Sequence, residues 1–358
     1  MLPYLGATYG NPSSLHWFGQ QARRALDRAR DQVASLIGAQ PDEIVFCSGG
    51  TEANNYALNG IVARSTFHQP QVITSAVEHQ AVMNPCRELE QVGCTVTYVP
   101  VDTQGLVAPG GLAEKISERT ALVSVMLANN DVGTLQPISD IARMARSRGV
   151  LVHTDAVQAV GRIRVDVTEL DVDLLSLSGH KLHGPKGIGA LYVRQGVSLA
   201  PWLRGGSQER RRRAGTENLP GIVGLGTACE LAGERLVEDA RQVERLRDRL
   251  ERGLTEALPD LRVNGHPEQR LPNTLNVTVP GLAGEDLVLN LDLLGIAAST
   301  GSACAAGDPE PSYVLTAMGR SEAEARSSVR FSLGPGNTEA EIDRTIAAMG
   351  EVVEAMHA

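Results

Sequence analysis

With 358 residues, 42% of them apolar and 21% charged, the chain has the make-up of an ordinary globular protein with room for two domains. A formal net charge of −9 sets aside nucleic acid as a general electrostatic partner. There is no basic amphipathic stretch, no apolar run near the roughly 18 residues of a spanning helix and no signal-peptide pattern, so no membrane partner and a cytoplasmic location are expected.

Apolar positions at Ala22, Ala25, Leu26, Ala29, Val33, Leu36 and Ile37 recur at helical spacing, predicting a helix over Trp17–Ile37 closed by Gly38. Short β-rich runs then alternate with helical stretches. The strand candidates are Glu43–Cys47, Gln71–Ser75, Thr95–Pro100, Ala121–Leu127, Val150–Asp155, Asp171–Leu177 and Ile188–Val193. Strands separated by helices imply βαβ units and a mostly parallel sheet buried on both faces, whose ligands gather at the carboxyl ends of the strands. A long charged amphipathic helix is expected at about Leu231–Leu258, stopped by Pro259, bridging to a second domain. That second part mixes shorter strands with a last helix opening on the capping box Thr338-Glu339-Ala340-Glu341. The expected fold class is therefore α/β: a large domain over residues 1–238 with a mostly parallel central sheet, and a smaller α+β domain over residues 239–358. No internal repeat or low-complexity segment interrupts it.

The chemistry gathers at the predicted strand ends. Ser48-Gly49-Gly50-Thr51-Glu52 opens a helix with small residues, leaving backbone N–H groups and the positive dipole end aimed at one spot, suited to a small phosphate. Val77-Glu78-His79-Gln80, Ala128-Asn129-Asn130-Asp131-Val132-Gly133 and His153-Thr154-Asp155-Ala156-Val157-Gln158 follow three further strands. Ser178-Gly179-His180-Lys181 follows the sixth, placing a lysine where desolvation would turn its amine into a nucleophile toward carbonyls. Singly, each reads equally well as a cap, a turn, a satisfied core group or a surface lysine. Together they offer a phosphate cradle, an imidazole, amides, a buried carboxylate and an amine, which are the needs of pyridoxal phosphate.

The five cysteines are odd in number and irregularly spaced, indicating neither a disulfide framework nor a metal site. Cys47, Cys86, Cys94 and Cys229 have apolar neighbours and read as small core residues. Cys304 instead lies in Thr300-Gly301-Ser302-Ala303-Cys304-Ala305-Ala306-Gly307-Asp308-Pro309, a composition for an exposed loop in which a thiol can become a reactive thiolate.

These motifs, with Gly10-Asn11-Pro12-Ser13-Ser14-Leu15-His16 and Ala214-Gly215-Thr216-Glu217-Asn218, resemble over the whole chain the class V aminotransferases of fold-type I, and within them the NifS/IscS-like cysteine desulfurases. The resemblance implies that Lys181 forms the Schiff base with pyridoxal 5'-phosphate and shuttles protons, that Asp155 keeps the pyridine nitrogen protonated, and that Gln158 contacts the ring hydroxyl. It implies that His79 stacks on the ring and assists proton transfer, and that Gly50, Thr51, Ser178 and His180 bind phosphate, with Thr216 reaching across from a second subunit of a homodimer. Asn130 and Arg330 would hold the substrate carboxylate, a task suited to a guanidinium fork. Cys304 would take the sulfur of L-cysteine as a persulfide, leaving L-alanine, in a loop of group I type that passes sulfur to an acceptor or iron–sulfur scaffold protein for cluster assembly or thiolation. The alternatives are another class V enzyme, a selenocysteine lyase or small-substrate aminotransferase, and, in a different class, a non-catalytic sulfur-scaffold partner.

Two departures from the family pattern stand out. The sequence starts at Met1-Leu2-Pro3-Tyr4-Leu5, where family members carry about twenty more residues, a difference expected to touch substrate affinity and stability rather than cofactor chemistry. In Gly205-Gly206-Ser207-Gln208-Glu209-Arg210-Arg211-Arg212-Arg213, Ser207 and Arg211 stand where glycine is usual; the arginine run reads as a solvated loop or as a neighbour of the subunit interface and cofactor phosphate.

Overall fold

The computed structural model describes residues 1–300 and 311–357. The chain forms two compact units: Met1–Val99 with Pro109–Leu127 and Pro137–Leu236, and Pro100–Ala108 with Ala128–Gln136 and Val237–Ala358.

The first unit is built on seven strands, β1 Ile44–Cys47, β2 Gln71–Ser75, β3 Thr95–Val99, β4 Thr120–Ser124, β5 Leu151–Asp155, β6 Leu174–Ser178 and β7 Gly189–Val193. They lie side by side in the order β1-β7-β6-β5-β4-β2-β3. Neighbours from β6 through β3 pair in parallel, whereas β7 runs antiparallel to both β6 and β1. The reason is the short connection after β6. Residues 179–188 hold only a turn of 3-10 helix, too little for the crossover that a parallel return requires. The mostly parallel, doubly covered sheet expected from the sequence is borne out: β1, β2, β6 and β7 are buried along their whole length.

The helix Trp17–Leu36 buries Ala22, Leu26, Ala29 and Val33 as its periodicity predicts. The long helix starts earlier than expected, running Leu219–Ala257. Gly221, Gly224 and Gly226 hide its beginning from a periodicity reading, because glycine is a poor helix former. Packing overrides that propensity: a Cβ on Gly226 would lie 2.7 Å from Ala29 Cα, and one on Gly224 2.7 Å from Pro185 Cγ.

The second unit holds β8 Arg262–Asn264, β9 Thr274–Thr278 and β10 Ser328–Ser332, an antiparallel sheet in the order β10-β9-β8. Leu250, Leu254, Leu275, Val277, Val329 and Met349 form its core. The capping box of the last helix, Glu339–His357, is present: Thr338 N donates to Glu341 Oε2 (2.8 Å) and Glu341 N to Thr338 Oγ1 (3.3 Å). Cys47, Cys86 and Cys229 are buried and Cys94 is half-buried, all four with free thiols. Among the described residues, no helix is long and apolar enough to cross a membrane, and no cluster of His, Cys, Asp and Glu could hold a metal ion.

Candidate active site

In the first unit the candidate residues stand where the sheet's parallel strands end. Asp155 is the last residue of β5, with its carboxylate buried. Asn54 Nδ2 donates to its Oδ2 at 2.6 Å and Val157 N to its Oδ1 at 2.9 Å. Burial pushes this carboxyl up, while the two hydrogen bonds and the charges of His79 and Lys181 pull against that shift. Lys181 is half-buried in the 3-10 turn Gly179–Leu182 that follows β6. The turn needs its glycine, since a Cβ on Gly179 would meet Ile188 Cγ2 at 2.9 Å and Pro185 O at 3.0 Å. Ser178 ends β6 in the interior, and His180 is exposed; partial burial, then the charges of Lys181, Lys186 and Arg162, hold the His180 imidazole below its ordinary range.

His79 caps the helix Gln80–Gln91, its Nδ1 accepting from Ala81 N at 3.0 Å, which puts the proton of a neutral ring on Nε2. Gly50 and Thr51 begin the helix Gly50–Val62, whose N-cap is Gly49 with no side-chain cap. Gly50 fits tightly, as a Cβ there would lie 2.6 Å from Val157 Cγ2. Two residues on, Glu52 accepts from Ser48 N (2.6 Å) and pairs with Arg213 Nε (2.9 Å), so the last arginine of the 210–213 run is tied to this helix rather than solvated. Gln158 is half-buried and accepts from Arg162 Nη1 at its carbonyl (2.7 Å) and at Oε1 (3.0 Å). Thr216 is exposed, just after Gly215, whose φ of +105° only glycine adopts readily.

In the second unit Arg330, on β10, and Asn130 come together around Asp131. Arg330 Nη1 donates to Asn130 O (3.0 Å) and to Asp131 Oδ1 (3.3 Å), and Asn130 Nδ2 donates to the same Oδ1 at 2.8 Å. Asp131 is buried, which pushes its carboxyl up to about 6 against the opposing pull of Arg330 and its hydrogen-bond donors. Cys304 lies outside the described residues.

Three contributors lie inside the strand-end motifs without being recognisable from sequence. They are Asn54, which orients Asp155; Asp131, which meets Arg330; and Glu52, which Arg213 neutralises. Position in a motif was the only signal for them. Their partners lie far away in sequence, and no spacing rule links them.

The aminotransferase class-V family profile matches residues 1–345. The chain belongs to the class-V aminotransferase family. Within this family it is 49% identical over 354 residues to the cysteine desulfurase IscS of Methanosarcina thermophila, covering 99% of this chain and 87% of the relative. It is likewise 49% identical over 358 residues to cysteine desulfurase 2 of Trichormus variabilis, covering 100% of this chain and 89% of that one. Among solved structures, a NifS-like protein superposes with a TM-score of 0.93 at 39% identity, over 99% of this chain and 94% of that one. SspA in complex with cysteine superposes with a TM-score of 0.82 at 38% identity, over 94% of each chain. The resemblance to the NifS/IscS-like branch is thus borne out in sequence and in fold, and the class-V family makes the chain an enzyme of the fold-type I architecture.

Proposed function

We infer that the protein is a pyridoxal-phosphate-dependent cysteine desulfurase, converting L-cysteine to L-alanine and carrying the sulfur as a persulfide on Cys304. The observation that carries this reading is the placement of a buried carboxyl, Asp155, at the end of β5 and of a half-buried amine, Lys181, in the turn after the neighbouring strand β6.

The residues present fit the cofactor. The uncapped start of the helix Gly50–Val62 leaves first-turn N–H groups and the helix dipole for a phosphate. Asp155, pushed up by burial, gains most from a cationic partner such as a ring N–H⁺, and beside it Asn54 Oδ1 is buried with no hydrogen-bond partner among the described residues. When bound, pyridoxal phosphate supplies an electron sink for the bonds at the substrate Cα.

The chain's own residues would do the rest. Gly50, Thr51, Ser178 and His180 would hold the phosphate, with Thr216 contributed by the second subunit of a homodimer. Lys181 would hold the cofactor by its amine and carry the proton of the substrate Cα. His79, with Nδ1 taken by Ala81, would offer Nε2 for proton transfer. Gln158 Oε1 accepts from Arg162, so a bond to a ring hydroxyl would be donated by its Nε2. Arg330 and Asn130 would receive the substrate carboxylate. In the net reaction the Cβ–S bond of cysteine breaks and an S–S bond to Cys304 forms. The electron pair left on Cβ takes up a proton, so alanine and a persulfide balance the equation without an added oxidant. The persulfide would then pass to an acceptor or iron–sulfur scaffold protein.

Incubation with L-cysteine, with alanine quantified and the added sulfur atom mapped by mass, tests the reading. Cys304→Ala should keep the cofactor's visible absorbance and lose persulfide formation. Desulfuration at the wild-type rate in that variant overturns it.

A further inference from the structure

Asp131 is 2% exposed, and among the described residues the side chains that hydrogen-bond its carboxylate all belong to the second unit. Oδ1 accepts from Asn130 Nδ2 (2.8 Å) and Arg330 Nη1 (3.3 Å), and Oδ2 accepts from Ser312 Oγ (2.9 Å). The main chain of Asp131 is fixed as well: its N–H donates to Asn129 Oδ1 (2.8 Å) and its carbonyl accepts from Asn276 Nδ2 (3.2 Å). The carboxylate is therefore a rigid post rather than a mobile counter-ion.

What the post holds is one corner of a guanidinium. Arg330 Nη1 is shared between Asp131 Oδ1 and Asn130 O, and two acceptors on one nitrogen fix the plane of the whole group. The edge formed by Nε and Nη2 carries two parallel donors, the arrangement that grips a carboxylate in bidentate fashion. Arg330 Nε is buried with no hydrogen-bond partner among the described residues, and so is Asn130 Oδ1. A buried polar atom left without a partner needs an explanation, and a ligand carboxylate would supply one for the Nε donor. The backbone of Arg330 is held in register with Ser299, donating at 2.6 Å and accepting at 3.1 Å, so the side chain is the only part left to be aimed.

We propose that Asp131 is a positioning residue for substrate recognition, aiming the guanidinium of Arg330 so that its Nε edge meets the carboxylate of an α-amino acid. This rests on the reading that Arg330 receives that carboxylate. Asp131 does not touch the reacting atoms; it acts through Arg330 on how tightly substrate and product are held.

The test separates aim from architecture. In Asp131→Asn the KM for L-cysteine and the inhibition constant for L-alanine should rise together, about tenfold, a loss of roughly 1.4 kcal/mol, while kcat stays within threefold. In an Arg330→Gln background the same substitution should add much less than its full effect, because the guanidinium it aims is gone and only its bond to Asn130 Nδ2 is left to lose. Ser312→Ala, which frees Asp131 Oδ2 and also removes the cap on Leu315 N, leaves both donors to Oδ1 in place; it should raise both constants two- to threefold and keeps the test open if Asp131→Asn does not fold. Unchanged constants in folded Asp131→Asn overturn the proposal. So do unchanged constants in Ser312→Ala where the first variant is unfolded, or a full additional rise in the Arg330→Gln background. Calorimetric titration with L-alanine reads the same effect without turnover, so a wild-type protein that forms no alanine from cysteine refutes the functional reading and leaves the positioning role separately measurable.

Discussion

Asn54 Nδ2 and Asp155 Oδ2 stand 2.6 Å apart, joining the helix that follows β1 to the end of β5. The amide fixes which way the buried carboxylate faces and favours its ionised form against the cost of burial. A hydrogen bond to a charged group contributes about 1.5–3 kcal/mol. Asn54→Leu, close in size and without a donor, should therefore weaken pyridoxal phosphate binding at least tenfold while the fold survives. Absorbance titration of the apoprotein measures it, and an unchanged dissociation constant rules the effect out.

Glu78 gives a prediction in pH. Its carboxyl is wholly buried, accepts from Ser75 Oγ (2.5 Å) and Met126 N (2.9 Å), and is pushed by burial from 4.5 up to about 8. The folded state thus holds this proton more tightly than the unfolded chain does. The stability gained is complete below pH 4.5 and is lost as pH rises toward 8. Glu78→Gln mimics the protonated acid, so thermal melts should match wild type at pH 5 and exceed it at pH 9. A constant difference across that range contradicts a protonated Glu78.

The ion pair between Arg213 and Glu52 sits at the first turn of the helix Gly50–Val62, the proposed phosphate site, with side chains 22% and 10% exposed. An anion there would repel a phosphate, and Arg213 cancels it. The two single variants should therefore act in opposite directions: Arg213→Gln weakens pyridoxal phosphate binding several-fold, Glu52→Gln leaves it equal or tighter, and the double variant returns close to wild type. If both single variants weaken binding alike, the pair is only a structural tether.

Arg30 and Glu209 form a pair that is nearly sealed from water, with Nη2–Oε1 at 2.6 Å and Nη1–Oε2 at 2.9 Å; Phe46 N also donates to Glu209. Glu209, Arg210 and Arg211 all have left-handed backbone, φ 45°, 56° and 67°, which side-chain-bearing residues resist. Arg30→Met would leave the carboxylate buried without a counter-charge, held by Phe46 N, costing about 3–5 kcal/mol. A fall in melting temperature of roughly 10 °C is expected; a change under 2 °C would show that the turn does not depend on the pair.

The sequence made the sheet readable because its strands are short β-rich runs separated by helical stretches, and all seven in the first unit lie where those runs do. It made Asp155, Ser178 and Lys181 readable as candidates because the first two end β5 and β6 and the third lies in the turn that follows β6. It could not show Asn54 under Asp155, Asp131 beside Arg330 or Glu209 against Arg30, since those contacts join residues 101, 199 and 179 positions apart. The arginine run hid a long-range tie for the same reason: Arg213 is not solvated but drawn in by an acid 161 positions earlier.

The buried cysteines have a chemical consequence. Burial pushes Cys86 and Cys229 up to about 12 and Cys47 well above its ordinary value, so these three remain thiols at neutral pH. Sulfane sulfur is passed on by attack of thiolates, and a protein that handles such cargo risks labelling itself at random. Keeping three thiols uncharged and out of reach makes them poor thieves, so the sulfur's destination is decided by ionisation as much as by proximity.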